Sequence, residues 1–126
     1  MLRAVGALFG HRRAPQQLAR RERLQASVRP VLVYAIGDVH GCLAELRQLE
    51  QLVEADAAGV SGEKWIVMLG DYVDRGPQSA QVIEHLLGPV PKGFRRFALA
   101  GNHEQMLLDF LDAPNDSAEW LAYGGV

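Results

Sequence analysis

The run Val31-Leu32-Val33-Tyr34-Ala35-Ile36, followed at once by Gly37-Asp38-Val39-His40-Gly41, decides how the rest of this chain is read. An unbroken apolar run of that length predicts a strand buried on both faces, the kind found in parallel sheets. The Gly-Asp pair after it predicts a turn at the strand's C-terminal end, where α/β sheets gather their functional groups. The same order recurs twice. Trp65–Leu69 runs into Gly70-Asp71-Tyr72-Val73-Asp74-Arg75-Gly76, and Arg95–Ala100 runs into Gly101-Asn102-His103-Glu104.

Between these strands the spacing predicts helices. Cys42 to Ala58 carries Leu43, Leu46, Leu49, Leu52 and Val53 as one apolar stripe, and Gly59 to Gly62 breaks it. Pro77 stands where a first helical turn tolerates it, ahead of a helix through Leu87 with Val82, Ile83, Leu86 and Leu87 inward. Gly88, Pro89 and Pro91 end that helix. A third helix is expected from near Glu104 to near Leu111, with a short segment around Trp120. Strand-helix-strand-helix-strand-helix at this spacing argues for an α/β fold with parallel pairing through right-handed crossovers.

A Gly-Asp after a strand is by itself an ordinary turn pair, and a lone Asp-x-His is more often a turn with a solvated imidazole than a metal site. Three such blocks, each after a strand and each bringing a ligand-type residue, are hard to explain as turns. Together they offer the carboxylates of Asp38, Asp71 and Asp74, the amide of Asn102, the imidazoles of His40 and His103, and the guanidinium of Arg75. Oxygen and imidazole donors without thiolate suit Mn²⁺, Fe or Zn²⁺, and suit Mg²⁺ less well. The planar fork of an arginine matches two phosphate oxygens. The set can hold divalent metal and grip phosphate.

The blocks GDVHG, GDYVDRG and GNHE resemble the signature of the calcineurin-like metallophosphoesterases, in their phosphoprotein phosphatase branch. GNHEQM, followed by Trp120 and Gly124-Gly125, is also similar to the bacterial and phage serine/threonine phosphatases. The resemblance runs from about Val31 to the last residue and leaves residues 1–29 outside it. It implies a central β-sandwich flanked by helices, with the metal site at strand ends, and residues 30–126 as the N-terminal half of that domain. It also implies two divalent ions, Mn²⁺ foremost, with Asp38 and His40 on the first, Asp71 bridging both and Asn102 on the second. A hydroxide shared by the ions would attack the phosphoester. His103 would act as general acid, a role an imidazole suits with its ordinary pKa of about 6.5. Asp74 would accept its ring proton and Arg75 would bind the substrate phosphate. The implied substrate is a phosphorylated protein or a small phosphoester.

Charge is split along the chain. Residues 1–29 carry seven Arg and one acidic residue, whereas the remaining 97 carry six Lys or Arg and fourteen acidic residues. An acidic body suits a cation site, and no basic stripe interleaves with Trp65 and Trp120 to suggest nucleic acid. The single cysteine, Cys42, excludes an internal disulfide and reads as a small residue opening a helix, in keeping with a reducing, cytoplasmic setting. No apolar run approaches the roughly 18 residues of a membrane span. Arg12-Arg13 is followed by Pro15, Gln16 and Gln17 and not by the apolar stretch of an export signal. The leader reads as a mobile basic tail ended by Pro30. The alternative is an amphipathic helix, with Leu2, Val5, Leu8 and Phe9 on one side, on an anionic membrane or an acidic partner.

The other polar residues read as structural. Glu104 is expected to favour a helix dipole, His85 to be solvated without a partner, His11 to belong to the tail, and both tryptophans to pack. In the resembling family two further His ligands and another Arg come later in the chain. After His103 this sequence has no His, and after Arg96 no Lys or Arg. The expectation is therefore the N-terminal half of a phosphatase, inactive alone. Two alternatives stand beside it. A symmetric dinucleoside tetraphosphatase shares the GDVHGC opening but is expected to lack the Asp of the VDRG block, and a non-catalytic remnant would bind metal or a partner only.

Overall fold

A computed structural model describes residues 27–114 and 118–125. The readings made on residues 1–26, His11 among them, fall outside that range. Three strands form one sheet: β1 (Leu32–Ile36), β2 (Lys64–Met68) and β3 (Phe94–Ala98), in the order β1-β2-β3. Helix α1 (Leu43–Asp56) joins the first two and α2 (Ser79–Leu87) joins the second pair, while α3 (Asn102–Asp112) and α4 (Ala118–Ala122) follow. Both pairings are parallel, as a helix between successive strands requires. This is the α/β order expected from the apolar runs.

The register is what positions the site. Ile36 stands opposite Met68, and Met68 opposite Ala98, so the three strands end level. Each motif block begins within a few residues of that common edge, and the three loops meet above it. One sheet face, through Ile36, Ile66 and Met68, packs against Leu43, Leu46 and Val53 of α1 and Val82 of α2. The opposite face leaves Val33 exposed and Trp65, Val67 and Phe97 half-buried.

Two helices depart from their expected faces. In α1 the buried positions are Leu43, Leu46, Glu50 and Val53, while Leu49 and Leu52 are exposed. A charged residue thus takes a core position that periodicity assigned to leucine, because Arg96 of β3 lies opposite it with Nη2 2.7 Å from Glu50 Oε1. His85 is not solvated: its Nε2 lies 2.6 Å from Glu50 Oε2. In α2 Val82 is fully buried but Leu87 is 83% exposed at the helix end.

The helix starts differ too. Regular helix in α2 begins at Ser79, beyond Pro77, because the Gln78 amide donates to the Gly41 carbonyl of the first block at 3.1 Å. Helix α3 begins at Asn102, ahead of Glu104, because the Glu104 carboxylate caps the Gly101 amide at 2.8 Å.

Candidate metal centre

The loops are held in conformations that ordinary residues avoid. Five non-glycine residues have positive φ among the described residues, and all lie in the first two blocks: Asp38 (53°), His40 (42°), Asp71 (56°), Asp74 (69°) and Arg75 (66°). Such backbone costs of order 1–3 kcal/mol per residue and persists only where surrounding contacts over-determine it. Here those contacts are identifiable. The His40 amide donates to the Asp71 carbonyl at 2.9 Å and the Gly41 amide to that of Tyr72 at 2.8 Å, tying block one to block two.

Glycines allow the loops to touch. A Cβ on Gly41 would stand 2.6 Å from the Gly76 carbonyl oxygen, and one on Gly76 would strike the His40 carbonyl. At the other junction a Cβ on Gly70 would strike the Gly101 backbone, and one on Gly101 would strike the Asp71 carboxylate. The two contacts join first block to second and second to third, backbone on backbone.

Asp38, His40 and Asp71 each present one ligand-type atom, all within 4.8 Å of one another. His40 is buried, and its Nδ1 lies 2.9 Å from the Val73 carbonyl. A carbonyl only accepts, so Nδ1 carries a proton, and in the neutral ring the lone pair is on Nε2, 3.9 Å from Asp38 Oδ1. That outer hydrogen bond is the arrangement found behind metal-ligating imidazoles. The Asp38 side chain is 81% exposed, open to an incoming cation. Two carboxylates and one oriented imidazole fit a divalent ion in chemistry and in spacing.

Of the remaining sequence-picked residues, His103 touches this group and Asp74 touches His103, while Asn102 and Arg75 adjoin them in the chain. Asn102 opens α3 and is exposed, and the next amide, that of His103, donates to Asp71 Oδ1 at 3.2 Å. His103 is buried, its ring set edge-on to that of His40 with centroids 4.7 Å apart. Its Nδ1 lies 2.8 Å from Asp74 Oδ2, both side chains being at least 95% buried. Arg75 is exposed, and its backbone amide donates to the Gly124 carbonyl at 3.3 Å.

Two residues read as structural prove to hold the site. Trp120 Nε1 donates to Asp74 Oδ2 at 2.9 Å, so the oxygen that takes His103 also takes an indole. The Trp120 ring packs on Phe110, with the Gly125 backbone against its indole. Its polar role was not visible in sequence because 46 residues separate it from Asp74. Glu104 accepts from the Asp71 amide at 2.7 Å and the Tyr72 amide at 2.7 Å as well as from Gly101. Its only sequence signal is its place three residues after Gly101. Behind it, the Tyr72 hydroxyl lies 2.5 Å from the Leu99 carbonyl and 3.2 Å from that of Met68. Burial, and then the Glu104 carboxylate, push the Tyr72 phenol up to about 12.

Comparison with known proteins agrees with this geometry. A family model for calcineurin-like phosphoesterases matches residues 31–126. Symmetrical bis(5'-nucleosyl)-tetraphosphatase of Methylococcus capsulatus is 41% identical over 76 residues, covering 60% of this chain and 25% of that protein. Serine/threonine-protein phosphatase 1 of Salmonella typhimurium is 34% identical over 93 residues, covering 74% of this chain and 38% of that one. The symmetrical tetraphosphatase of Ectopseudomonas mendocina is 38% identical, with 71% and 37% covered. The chain thus spans between a quarter and two fifths of the length of these curated relatives. No solved structure matches it.

Proposed function

The chain belongs to the calcineurin-like phosphoesterase family, and from that premise we propose that its three loops serve a metal-dependent hydrolase of phosphoserine and phosphothreonine. Residues 30–126 carry the phosphoesterase part and residues 1–29 a basic leader outside it. Asp38, His40 and Asp71 would hold one divalent ion, and Asp71 with Asn102 would face a second. Such ions, Mn²⁺ foremost and Fe or Zn²⁺ next, supply a nucleophile at neutral pH and neutralise phosphate charge. A single cysteine suits a reducing, cytoplasmic setting, and no described helix is long and apolar enough to cross a membrane.

The observation that carries the phosphoprotein reading is the buried Asp74–His103 pair at 2.8 Å. Asp74 holds the proton on Nδ1 and leaves Nε2 as the ring atom able to hand a proton to a leaving alkoxide. Serine and threonine are poor leaving groups, so a positioned acid matters most for them. Arg75, exposed and next to Asp74 in the chain, would bind the phosphate oxygens.

A second reading is supported by the names of the relatives at 41% and 38% identity: symmetrical cleavage of a dinucleoside tetraphosphate. Its leaving group is itself a phosphate, which needs less protonation. The two readings separate in one assay with Mn²⁺ on a whole phosphoesterase domain that includes this chain, since residues 30–126 are expected to be inactive alone, using a phosphoserine peptide and diadenosine tetraphosphate, each with and without EDTA. Peptide dephosphorylation abolished by EDTA is expected. Production of two ADP with the peptide untouched would select the second reading, and EDTA-insensitive turnover would defeat both. Mn²⁺ binding with neither substrate turned over would leave a metal-binding remnant.

A further inference from the structure

Three successive amides of the second block, those of Asp71, Tyr72 and Val73, point at one carboxylate. Glu104 Oε2 takes Asp71 N–H at 2.7 Å, and Oε1 takes Tyr72 N–H at 2.7 Å and Val73 N–H at 3.4 Å. Successive backbone amides around a left-handed residue form a concavity that binds anions. Asp71, with φ of 56°, is that left-handed residue, and the anion is supplied from α3. The same carboxylate caps Gly101, one residue before Asn102. From the other side the His103 amide holds Asp71 Oδ1 at 3.2 Å. The first turn of α3 therefore grips Asp71 by its backbone and by its carboxylate at once.

We propose that Glu104 is a positioning residue of the metal centre: by filling the amide concavity of residues 71–73 it sets the direction of the Asp71 carboxylate and hence the affinity for the ion. This rests on the metal reading above. A helix-dipole role requires only a negative charge in the first turn and places no demand on block two. A clamp requires an acceptor at both oxygens. Glutamine has the same shape but replaces one acceptor with an NH₂ donor, which would face an amide N–H. Ligand-orienting partners of this kind are typically worth roughly 10–100-fold in metal affinity.

The test measures Mn²⁺ affinity of the full chain by water-proton relaxation for wild type, Glu104→Gln and Asp71→Asn. Carbon chemical shifts of Asp71 are followed in parallel in metal-free buffer. For Glu104→Gln the expectation is an affinity loss of roughly 10–100-fold, with Asp71 shifts leaving their left-handed values and circular dichroism unchanged. Unchanged affinity together with unchanged Asp71 shifts overturns the proposal. If wild type and Asp71→Asn bind Mn²⁺ alike, the metal reading fails. The Asp71 shifts then still decide whether Glu104 positions that residue. Should Glu104→Gln fail to fold, Glu104→Ala titrated with formate replaces it. Recovery of the wild-type Asp71 shifts by formate but not by chloride supports an acceptor role, and no recovery overturns it.

Discussion

Two close imidazole–carboxylate pairs stand out among the described residues, one buried and one part-buried, and they differ in what completes them. His103 and Asp74 meet at 2.8 Å on the loops above the strand ends, while His85 and Glu50 meet at 2.6 Å between α2 and α1. The Asp74 oxygen that holds His103 has a neutral second donor, the Trp120 indole. Glu50 instead faces a fixed cation, Arg96, which also donates to the His85 and Leu86 carbonyls at the end of α2. In the first pair the carboxylate charge is left for the imidazole. In the second it is cancelled by the guanidinium, and the histidine cross-links two helices. Backbone separates them as well, for Asp74 sits at positive φ whereas Glu50 and His85 lie within regular helix. The same two residue types therefore make a site or a brace, according to the third partner.

Exchange of the histidines gives the largest contrast. His103→Asn should lower kcat by roughly 10²–10⁴-fold, the usual share of a general acid, whereas His85→Asn should leave kcat within about twofold. Steady-state kinetics of the whole phosphoesterase domain on a phosphoserine peptide with Mn²⁺ decides it, and similar losses in both variants would erase the distinction. The carboxylates should then divide the other way in stability. Glu50→Ala strands the Arg96 charge, whose side chain is 4% exposed, and should cost about 3–5 kcal/mol in urea unfolding. Asp74→Asn strands no permanently charged guanidinium and should cost less, with its main effect on kcat. A smaller loss for Glu50→Ala than for Asp74→Asn would show that Arg96 finds other partners.

Trp120→Phe sharpens the comparison from the side of the third partner. It keeps the ring against Phe110 and removes one hydrogen bond to a charged acceptor, worth about 1.5–3 kcal/mol. About tenfold in kcat should be lost with KM nearly unchanged. An unaltered kcat would make the indole a packing group after all. The smallest effect is expected at Tyr72, which ties the strand ends beneath both loops. Tyr72→Phe should cost about 0.5–1.5 kcal/mol at neutral pH. Burial raises the folded phenol from 10.0 to about 12, so its stabilisation is present below pH 10 and fades as pH rises toward 12. Urea midpoints of the phenylalanine variant should therefore fall less steeply across that window than those of wild type.

Much of the fold is legible in the sequence. Each strand core was expected within one or two residues, because a continuous apolar run flanked by Gly-rich turns leaves few other options. Asp38, His40, Asp71, Asp74, Arg75, Asn102 and His103 are legible too, since each stands in a block that directly follows a strand. Missed were the partners that lie far away in sequence. Glu50 interrupts a leucine stripe, and nothing local to it announces Arg96, 46 residues on. Trp120 and Glu104 carry groups that pack or cap equally well, so their polar contacts could not be read from neighbours.

What the sequence determined by itself is the order of strands and helices and which donor-type residues stand at the strand ends. Local patterning encodes both: apolar periodicity chooses the element, and short polar blocks supply the donors. Only the tertiary structure decided which donors meet. The level register of three parallel strands brings residues 38, 71 and 102 to one edge. Paired glycines then let the loops close backbone to backbone, and one carboxylate from α3 holds a strained loop in place. Those contacts join residues about thirty apart, and the cost of left-handed backbone is met only when all of them form together.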